Sequence, residues 1–261
     1  MAKREVAVKK EEPTSLILVQ DQVPDYLLNA KGRGSENVTM EDMVIPRLEI
    51  VQGLSPAVKR GDPGFIQGAQ MGMMNNSVTR KLYGDAAFVI PVYYTKQWSV
   101  WRKRKDEDGK SQEGGFFGSY NTPEEAQNRA DQEGDPSIEI IDTPQHLCLV
   151  LDEETGDIEE IMVSMARTKA KVSRKWNSMV KLAGGDRFSR VYKLGTVLEK
   201  NSQGDFYNFD VKLLGFPSQM LFKKAEELYN SVTLGGRKVV MDVSGLDESS
   251  GRGQVADDGE M

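Results

Sequence analysis

Alternating apolar and polar residues run through the middle of the chain and predict a mainly β or α+β domain. The longest run extends from Ala87 to Trp101, where β-branched and aromatic residues prevail. Strict alternation places Ile90, Val92 and Tyr94 on one face, while Pro91 indicates an edge strand or a bulge. Shorter strands are predicted at residues 137–141, 146–152, 158–165, 188–200 and 205–214, with a last one in RKVVMDV (237–243).

A hairpin is predicted where the turn at 201–204 joins the strands at 188–200 and 205–214. Centring the hairpin on this turn places Lys193 opposite Lys212 and Tyr192 opposite Leu213. The face expected to be exposed carries Lys193, Lys212, Asn208 and Phe206. The face expected in the core carries Tyr192, Leu194, Leu198, Tyr207, Phe209, Val211 and Leu213.

Helical spacing appears in three places. Val172, Trp176 and Val180 lie on the apolar face of a helix that ends at Gly184 and Gly185, which puts Trp176 in the core. Another helix runs from Pro123 to about Gln132, and a third lies in SQMLFKKAEELYNSV (218–232). A short helix in EDMVIPRLEIVQ (41–52) would be broken by its proline.

Composition divides the chain into three segments. Residues 1–38 mix charges with prolines and predict a flexible N-terminal arm. Residues 39–241 form the predicted domain, with an insertion at about 102–136. Residues 242–261 contain six acids against Arg252 and predict a disordered acidic tail.

Single histidine and cysteine residues limit the possible chemistry. His146 and Cys148 share one predicted strand face, which favours a core or edge position over catalysis. Structural zinc needs about four Cys or His ligands, so no such site is expected. No cofactor is expected, although the 40 acidic residues leave a carboxylate-held metal open.

Two features of the sequence lead us to expect a cytoplasmic location. No apolar run approaches the length of about 18 residues that a membrane span requires. The segment MAKREVAVKKEEPT has charge but no apolar signal-peptide core after it.

Positive charge is concentrated between Arg167 and Lys193. This stretch holds nine basic residues against Asp186 alone, in a chain of formal net charge −6. Aromatic residues are interleaved with them. Cations neutralise phosphates and rings stack on bases, so the pattern favours a nucleic-acid partner.

A second basic cluster follows the long strand at 102–105, beside Trp98 and Trp101. It is either a second wall of a binding groove or a solvated strand end. Phe116 and Phe117 lie among glycines nearby; exposed, they could stack on bases, and buried, they would hold the loop to the core.

Several segments resemble bacteriophage single-stranded DNA-binding proteins. The segments are KVSRKWNSMVK, RVYKLGTVLEKNSQGDFYNFDV, VIPRLEIVQGLSP, LYGDAAFVIPVYY and WSVWRKR, within residues 40–215. The resemblance implies an OB-fold-like antiparallel β-barrel with helical and loop insertions. It also implies protection of single strands in phage DNA replication and recombination, and an acidic tail that contacts replication proteins. The tail here ends in Met261, where several such proteins end in an aromatic residue.

We therefore expect sequence-tolerant binding of single-stranded DNA without enzymatic activity, with a homo-oligomer left open. The stacking candidates are Trp98, Trp101 and Tyr192, each with a core alternative. The residues expected to neutralise phosphates are Lys169, Lys171, Arg174, Lys175, Arg187, Arg190, Lys193 and Lys212, extended by Arg102, Lys103, Arg104 and Lys105.

Two other classes of protein fit part of the same pattern. A phage structural or transcription-associated interaction protein would use the basic patch on protein or duplex DNA. A carboxylate-metal nuclease would need a cluster of acids, and the acid spacing singles out none. Preference for single strands over duplex would distinguish a single-stranded DNA-binding protein from the first alternative. Mg²⁺-dependent strand cleavage would distinguish it from the second.

Overall fold

The computed structural model describes residues 33–38, 42–103, 110, 114–152, 155–201 and 204–234. Two compact units divide the chain, Met1–Thr39 and Met40–Met261. In the first unit, the backbone N–H of Gly34 donates to the Glu36 carboxylate at 2.8 Å. The strand predicted at 237–243, the acidic tail and most of the N-terminal arm lie outside the described residues.

Strands dominate the second unit, as the alternation predicts, and the α+β class is confirmed. The helices are α1 (Pro123–Glu133), α2 (Ala170–Ala183) and α3 (Gln219–Thr233). The strands are β1 (Leu48–Ile50), β2 (Met74–Asn76), β3 (Leu82–Gly84), β4 (Ala86–Arg102), β5 (Gly115–Tyr120), β6 (Ile138–Leu151), β7 (Ile158–Ser164), β8 (Val191–Asn201) and β9 (Gly204–Gly215).

The larger sheet has six antiparallel strands and is organised around β4. Its order is β7-β6-β4-β8-β9, and β5 also pairs with β4. Strands β1, β2 and β3 form a separate small sheet. Strands β7 and β9 are the two edges of the larger sheet and do not pair with each other, so the described strands do not close into the expected barrel.

Residues 46–52 contact both edges of the large sheet. The carbonyl of Pro46 accepts from the Met162 N–H of β7 at 2.8 Å. On the other edge, the Gln52 side chain donates to the Tyr207 carbonyl at 2.8 Å and accepts from its N–H at 2.9 Å. Residues 46–52 thus satisfy groups that a closing strand would use, and they blunt both edges against further pairing.

The β8–β9 hairpin has the predicted register. Lys193 lies opposite Lys212, and Tyr192 lies opposite Leu213. The predicted faces are only partly correct. Four of the expected core residues are buried, whereas Leu198 and Leu213 are 54% and 52% exposed.

Asn208 was expected on the exposed hairpin face and is fully buried instead. Its amide donates to the Thr168 carbonyl at 3.3 Å and to the Glu199 carboxylate at 3.0 Å. These bonds fix the backbone before α2 against β9, which alternation along the strand cannot predict.

A bulge in β4 changes which residues share a face. Pro91 pairs with Cys148 and Tyr93 with Leu147, so one residue of β4 is extra and the alternation shifts. The bulge at Pro91 is as predicted. Tyr94 consequently leaves the face of Ile90 and Val92 and lies beside His146.

Strand β6 is continuous, although two separate strands were predicted. Pro144 lies within it, opposite Lys96. The pairing with β7 begins only at Gln145, so the missing N–H of Pro144 costs no ladder bond to β7 there. Its carbonyl accepts from Met165 at 2.8 Å.

Two hydrophobic clusters lie on opposite faces of the large sheet. The first contains Trp176 of α2 together with residues of β4, β6, β8, β9 and the small sheet. The second contains Ala225 and Leu228 of α3. Trp176 is 0% exposed, so its predicted core position is confirmed.

Local sequence signals account for the three helices. Thr122 caps α1 in a capping box with Glu125, and Ser218 caps α3 through the Leu221 N–H. Helix α2 ends at Gly184, as predicted. As the proline indicates, no α-helix forms in the described residues 42–52, where Leu48–Ile50 forms β1. Nowhere in the described ranges does a helix combine the length and apolarity of a membrane span.

Candidate nucleic-acid interface

Much of the positive charge in the basic stretch is balanced by acids from distant strands. Lys171 pairs with Glu199 at 2.8 Å, and its hydrogen bond is the main cause that lowers the pKa of Glu199. The Asp210 carboxylate forms ion pairs with the ammonium of Lys212 at 3.2 Å and with the ammonium of Lys175 at 3.7 Å. The local excess of cations is therefore smaller than the sequence count suggests.

The second basic cluster is also partly neutralised. Arg102 lies 2.8 Å from Asp135 and 3.8 Å from Glu133. The pKa of Asp135 is lowered, first by hydrogen bonds from Ser137 and then by Arg102. Lys103 is exposed. Arg104 and Lys105 lie outside the described residues.

Within the basic stretch from Arg167 to Lys193, three exposed cations have no carboxylate within ion-pair distance among the described residues. They are Arg174 and Lys181 on α2, and Lys193 on β8. Arg174 and Lys181 are two turns apart on one helix, so their side chains lie about 10 Å apart along one ridge.

Lys169 and Arg190 contact aromatic rings. The ammonium of Lys169 is 5.4 Å from the Phe209 ring centroid, and burial lowers its pKa. The guanidinium of Arg190 is 4.4 Å from the centroid of Phe216, whose side chain is 75% exposed.

A cleft of about 600 Å³ opens between the end of α2 and β4. We call it the α2 cleft. Gly184 and Gly185 form its rim with positive φ angles of 68° and 78°, a conformation that favours glycine and turns the chain back below the helix. The α2 cleft is lined by Tyr94, Asn177, Val180, Lys181, Gly184, Gly185 and Arg187.

Arg187 is the half-buried cation of the α2 cleft. Its Nη2 lies 2.7 Å from His146 Nδ1, and its Cζ lies 5.4 Å from the Tyr94 ring centroid. Burial lowers its pKa, and no described carboxylate pairs with it.

These contacts fix the tautomer of His146. A guanidinium has only donors, so Nδ1 must accept and the proton lies on Nε2. Nε2 then donates to Ser173 Oγ at 2.8 Å. The imidazole stacks on Trp176 with centroids 4.6 Å apart. Burial, and then Arg187, lower the pKa of His146 well below its ordinary value. His146 is fully buried, which confirms the predicted core position.

Asn177 and Arg187, which line the α2 cleft, each have one buried side-chain atom without a hydrogen-bond partner among the described residues. The atoms are the acceptor Oδ1 of Asn177 and the donor Nε of Arg187.

The aromatic candidates do not form one surface. Tyr192 is 1% exposed and belongs to the first cluster, so a base cannot reach its ring. Trp98 and Trp101 are three residues apart in a regular stretch of β4 and project from opposite faces. Trp101 is half-buried against Phe116, with centroids 4.7 Å apart.

The sequence did not single out Tyr94, Asn177 or Lys181. Helical spacing could have found two of them, because Arg174, Asn177 and Lys181 fall at i, i+3 and i+7 on α2. No sequence signal predicts the face of β4 on which Tyr94 lies, because that face depends on the length of the bulge. Acids and other possible ligands form no cluster of three suited to a metal ion in the described ranges.

Comparison with protein families shows the family of this chain. A family model described as Pam3 phage gp34-like protein matches residues 15–238. Neither the curated proteins nor the solved structures contain a match.

Proposed function

We propose that this chain, which belongs to the Pam3 phage gp34-like family, binds single-stranded DNA without sequence preference. The strand would cross the α2 cleft and the exposed cations beside it. The function is binding and protection of the strand in phage DNA replication and recombination, without catalysis and without a cofactor.

The observation that carries this proposal is the charge environment of Arg187. A half-buried cation without a counter-charge is unfavourable in a folded protein. Arg187 has no described carboxylate partner, yet it borders a cleft open to solvent. An anionic ligand would provide the missing charge, and guanidinium groups suit phosphate in particular.

The arrangement of cations favours a polymer over a small anion. Lys181 borders the same cleft, and Arg174 continues the ridge along α2. A row of unpaired cations about 10 Å long can neutralise successive phosphates of one strand.

The α2 cleft favours a single strand over a duplex. Tyr94 and the flat guanidinium of Arg187 offer aromatic and planar surfaces inside the cleft. Bases reach such surfaces only when they are unstacked and unpaired, as in single strands.

An OB-type fold is part of this proposal. Residues 46–52 contact both edges of the large sheet, and the first cluster lies beneath the sheet. These contacts support a curved sheet of this type, although the described strands leave it open.

The acidic segment 242–261 is proposed to contact replication proteins and to compete with DNA for the basic residues. Its acids are tethered to the same chain, so their effective concentration near the cations is high. This part of the proposal rests on sequence, because the segment lies outside the described residues.

An interaction protein is the second candidate, and one observation favours it. Leu213, Leu214, Phe216 and Met220 are each between 52% and 75% exposed around the end of β9 and the start of α3. Exposed apolar residues close in sequence are typical of protein contacts. On this account the basic residues would surround a protein-binding surface.

Fluorescence anisotropy separates the two candidates. A labelled oligo(dT) and a labelled duplex of equal length are titrated with the protein at several salt concentrations. The proposal predicts tighter binding of the single strand and weaker binding as salt rises. Equal or tighter binding of the duplex, or no binding of either, would favour the interaction protein. Intact strands after incubation with Mg²⁺ are expected, and cleavage would instead indicate a nuclease.

A further inference from the structure

We infer that Phe216 is the aromatic residue on which a base of the bound strand stacks, beside the cations Arg190 and Lys193. This inference rests on the proposed function and adds to it the residue that contacts the bases. The stacking candidates predicted from the sequence do not form one surface. Phe216, in contrast, is exposed and lies next to a residue of the basic stretch.

The ring of Phe216 has one covered face and one open face. The guanidinium of Arg190 lies over the ring, 4.4 Å from its centroid, and Phe216 is still 75% exposed. A cation at this distance covers one face of the ring, so the other face is accessible to a base. Because every base has a π-face, an open ring of this kind binds bases of any sequence.

Local structure holds Phe216 in place. It lies between the end of β9 and Ser218, the N-cap of α3. Pro217 follows it directly and restricts its backbone to extended conformations. The Nη1 of Arg190 donates to the Ser189 carbonyl at 2.9 Å, which fixes the guanidinium beside the ring. A ring held in this way loses little conformational entropy when a base stacks on it.

Two lysines directly opposite each other supply positive charge near Phe216. Lys193 of β8 pairs with Lys212 of β9, and both are exposed. Like charges at opposite positions destabilise a sheet, and a phosphate bound between them would relieve the repulsion. Lys193 has no carboxylate partner among the described residues. It is three residues from Arg190, which is roughly 10 Å along an extended chain.

The surface around Phe216 adjoins the cations of α2. The Asp210 carboxylate lies 3.7 Å from the ammonium of Lys175 on α2 and 3.2 Å from the ammonium of Lys212 on β9. Two cations share this one acid, so the charge between the helix and the hairpin stays positive. A strand that follows the cations of α2 can therefore continue over the paired lysines to Phe216.

The charge around the ring favours a nucleic-acid strand over a protein partner. Leu214 and Met220 are also exposed near Phe216, and apolar side chains alone would suit a protein. Lysine is depleted in protein–protein interfaces, however, whereas lysines beside an open ring match the phosphates and bases of a single strand. We therefore assign the ring to a base and Lys193 to a phosphate. These two roles respond differently when the bases are removed.

Fluorescence anisotropy with two strands tests the inference. One strand is oligo(dT), and the other has the same length with every base replaced by an abasic tetrahydrofuran unit. The wild type should bind oligo(dT) about tenfold more tightly, because stacking adds to the phosphate contacts. Phe216→Leu keeps an apolar side chain without a ring. It should weaken oligo(dT) binding several-fold and leave binding of the abasic strand unchanged.

Three further variants give the test its controls. Met220→Ala removes another exposed apolar side chain of the same surface and should retain the wild-type preference for oligo(dT). Lys193→Ala should weaken binding of both strands by the same factor. Phe216→Trp should retain the preference, and oligo(dT), but not the abasic strand, should quench the fluorescence of its added indole. Thermal melting checks that each variant is folded, and Phe216→Trp carries the test if Phe216→Leu is not.

The outcomes separate this inference from the proposed function. Equal affinity of the wild type for both strands would overturn the stacking site and leave phosphate binding intact. The inference also fails if Phe216→Leu retains the preference for oligo(dT), if Met220→Ala loses it to the same extent, or if the added indole of Phe216→Trp is not quenched. If the wild type binds neither strand, the proposed function itself fails.

Discussion

The guanidinium of Arg187 donates to Nδ1 of the only histidine, His146, at 2.7 Å. This bond requires a neutral imidazole, because a protonated ring has no acceptor to offer. The core histidine thus orients the cation of the α2 cleft. On the proposed function, this pair of residues links stability to strand binding.

Stability should fall as the pH drops below about 6.5, the ordinary pKa of histidine. The pKa of His146 is well below that value in the folded protein, chiefly because of burial. In this range the unfolded chain binds a proton that the folded chain does not, so unfolding becomes easier at lower pH. The expected limiting slope is about 1.4 kcal/mol per pH unit.

Urea unfolding at pH 5.0, 6.0, 7.0 and 8.0 measures this dependence. His146→Leu removes the titrating group and serves as the control. Its curve should be flatter between pH 5 and 7, with lower stability at pH 7 because Arg187 loses its acceptor. A wild-type curve as flat as that of the variant would contradict the assignment of a neutral imidazole.

Trp176→Ala should lower the free energy of unfolding by about 3–5 kcal/mol, as for a large core residue. The ring is 0% exposed and stacks on His146. Trp101→Ala is the matched variant, because Trp101 is half-buried. The Trp101→Ala variant should lose less stability than Trp176→Ala, and its binding of the single strand should be weaker by about 1–3 kcal/mol. Denaturant melts and anisotropy measure both, and the reverse pattern would show that the roles are exchanged.

Glu159→Gln should destabilise the contact between the small sheet and β7 by about 2 kcal/mol. The Glu159 carboxylate accepts from Lys81 at 2.8 Å and from Tyr83 at 2.7 Å. Burial raises its pKa, but these bonds outweigh burial and the pKa is lowered overall. The stability that the Glu159 carboxylate contributes is therefore present above the unfolded-state pKa of glutamate, about 4.3, and is lost as the pH falls below that value.

Chemical denaturation at pH 7 and pH 3.5 tests this role. The difference between wild type and Glu159→Gln should shrink at pH 3.5. Glu227→Gln on the exposed surface of α3 provides the control and should match the wild type at both pH values. A constant difference between the two pH values would show that the ionised carboxylate is not what stabilises this contact.

Deletion of residues 246–261 should tighten binding of oligo(dT) several-fold at low salt. The deleted segment contains five acids against Arg252. Charge attraction is screened beyond about 8 Å at physiological salt, so the gain should shrink as salt rises. Paired salt titrations of full-length and truncated protein measure the effect. Equal affinities at low salt would show that the acidic segment does not compete with DNA for the basic residues.

Local patterns in the sequence were enough to predict several elements. The register of Lys193 opposite Lys212 follows from the position of the turn, and the helical stripe places Trp176 in the core. Thr122 and Ser218, which cap α1 and α3, directly precede the helices that they begin. These features depend on residues near each other in the chain, so the sequence carries their signals directly.

Features that depend on distant contacts could not be predicted. Glu199 and Asp210 neutralise Lys171 and Lys175 across the fold, and a count of neighbouring charges does not include them. The extra residue in β4 moves Tyr94 to the face of His146, although the proline showed that a bulge was near.

The salt dependence of oligo(dT) binding tests the central claim most directly. Arg174→Ala with Lys181→Ala removes two exposed cations beside the α2 cleft, and Lys223→Ala with Lys224→Ala removes two from α3. Each lost phosphate contact reduces the slope of log K against log salt by about 0.7 on single strands. We predict a reduction of about 1 to 1.5 for the first pair and none for the second. Equal slopes in both double variants and the wild type would place the strand elsewhere and contradict the account.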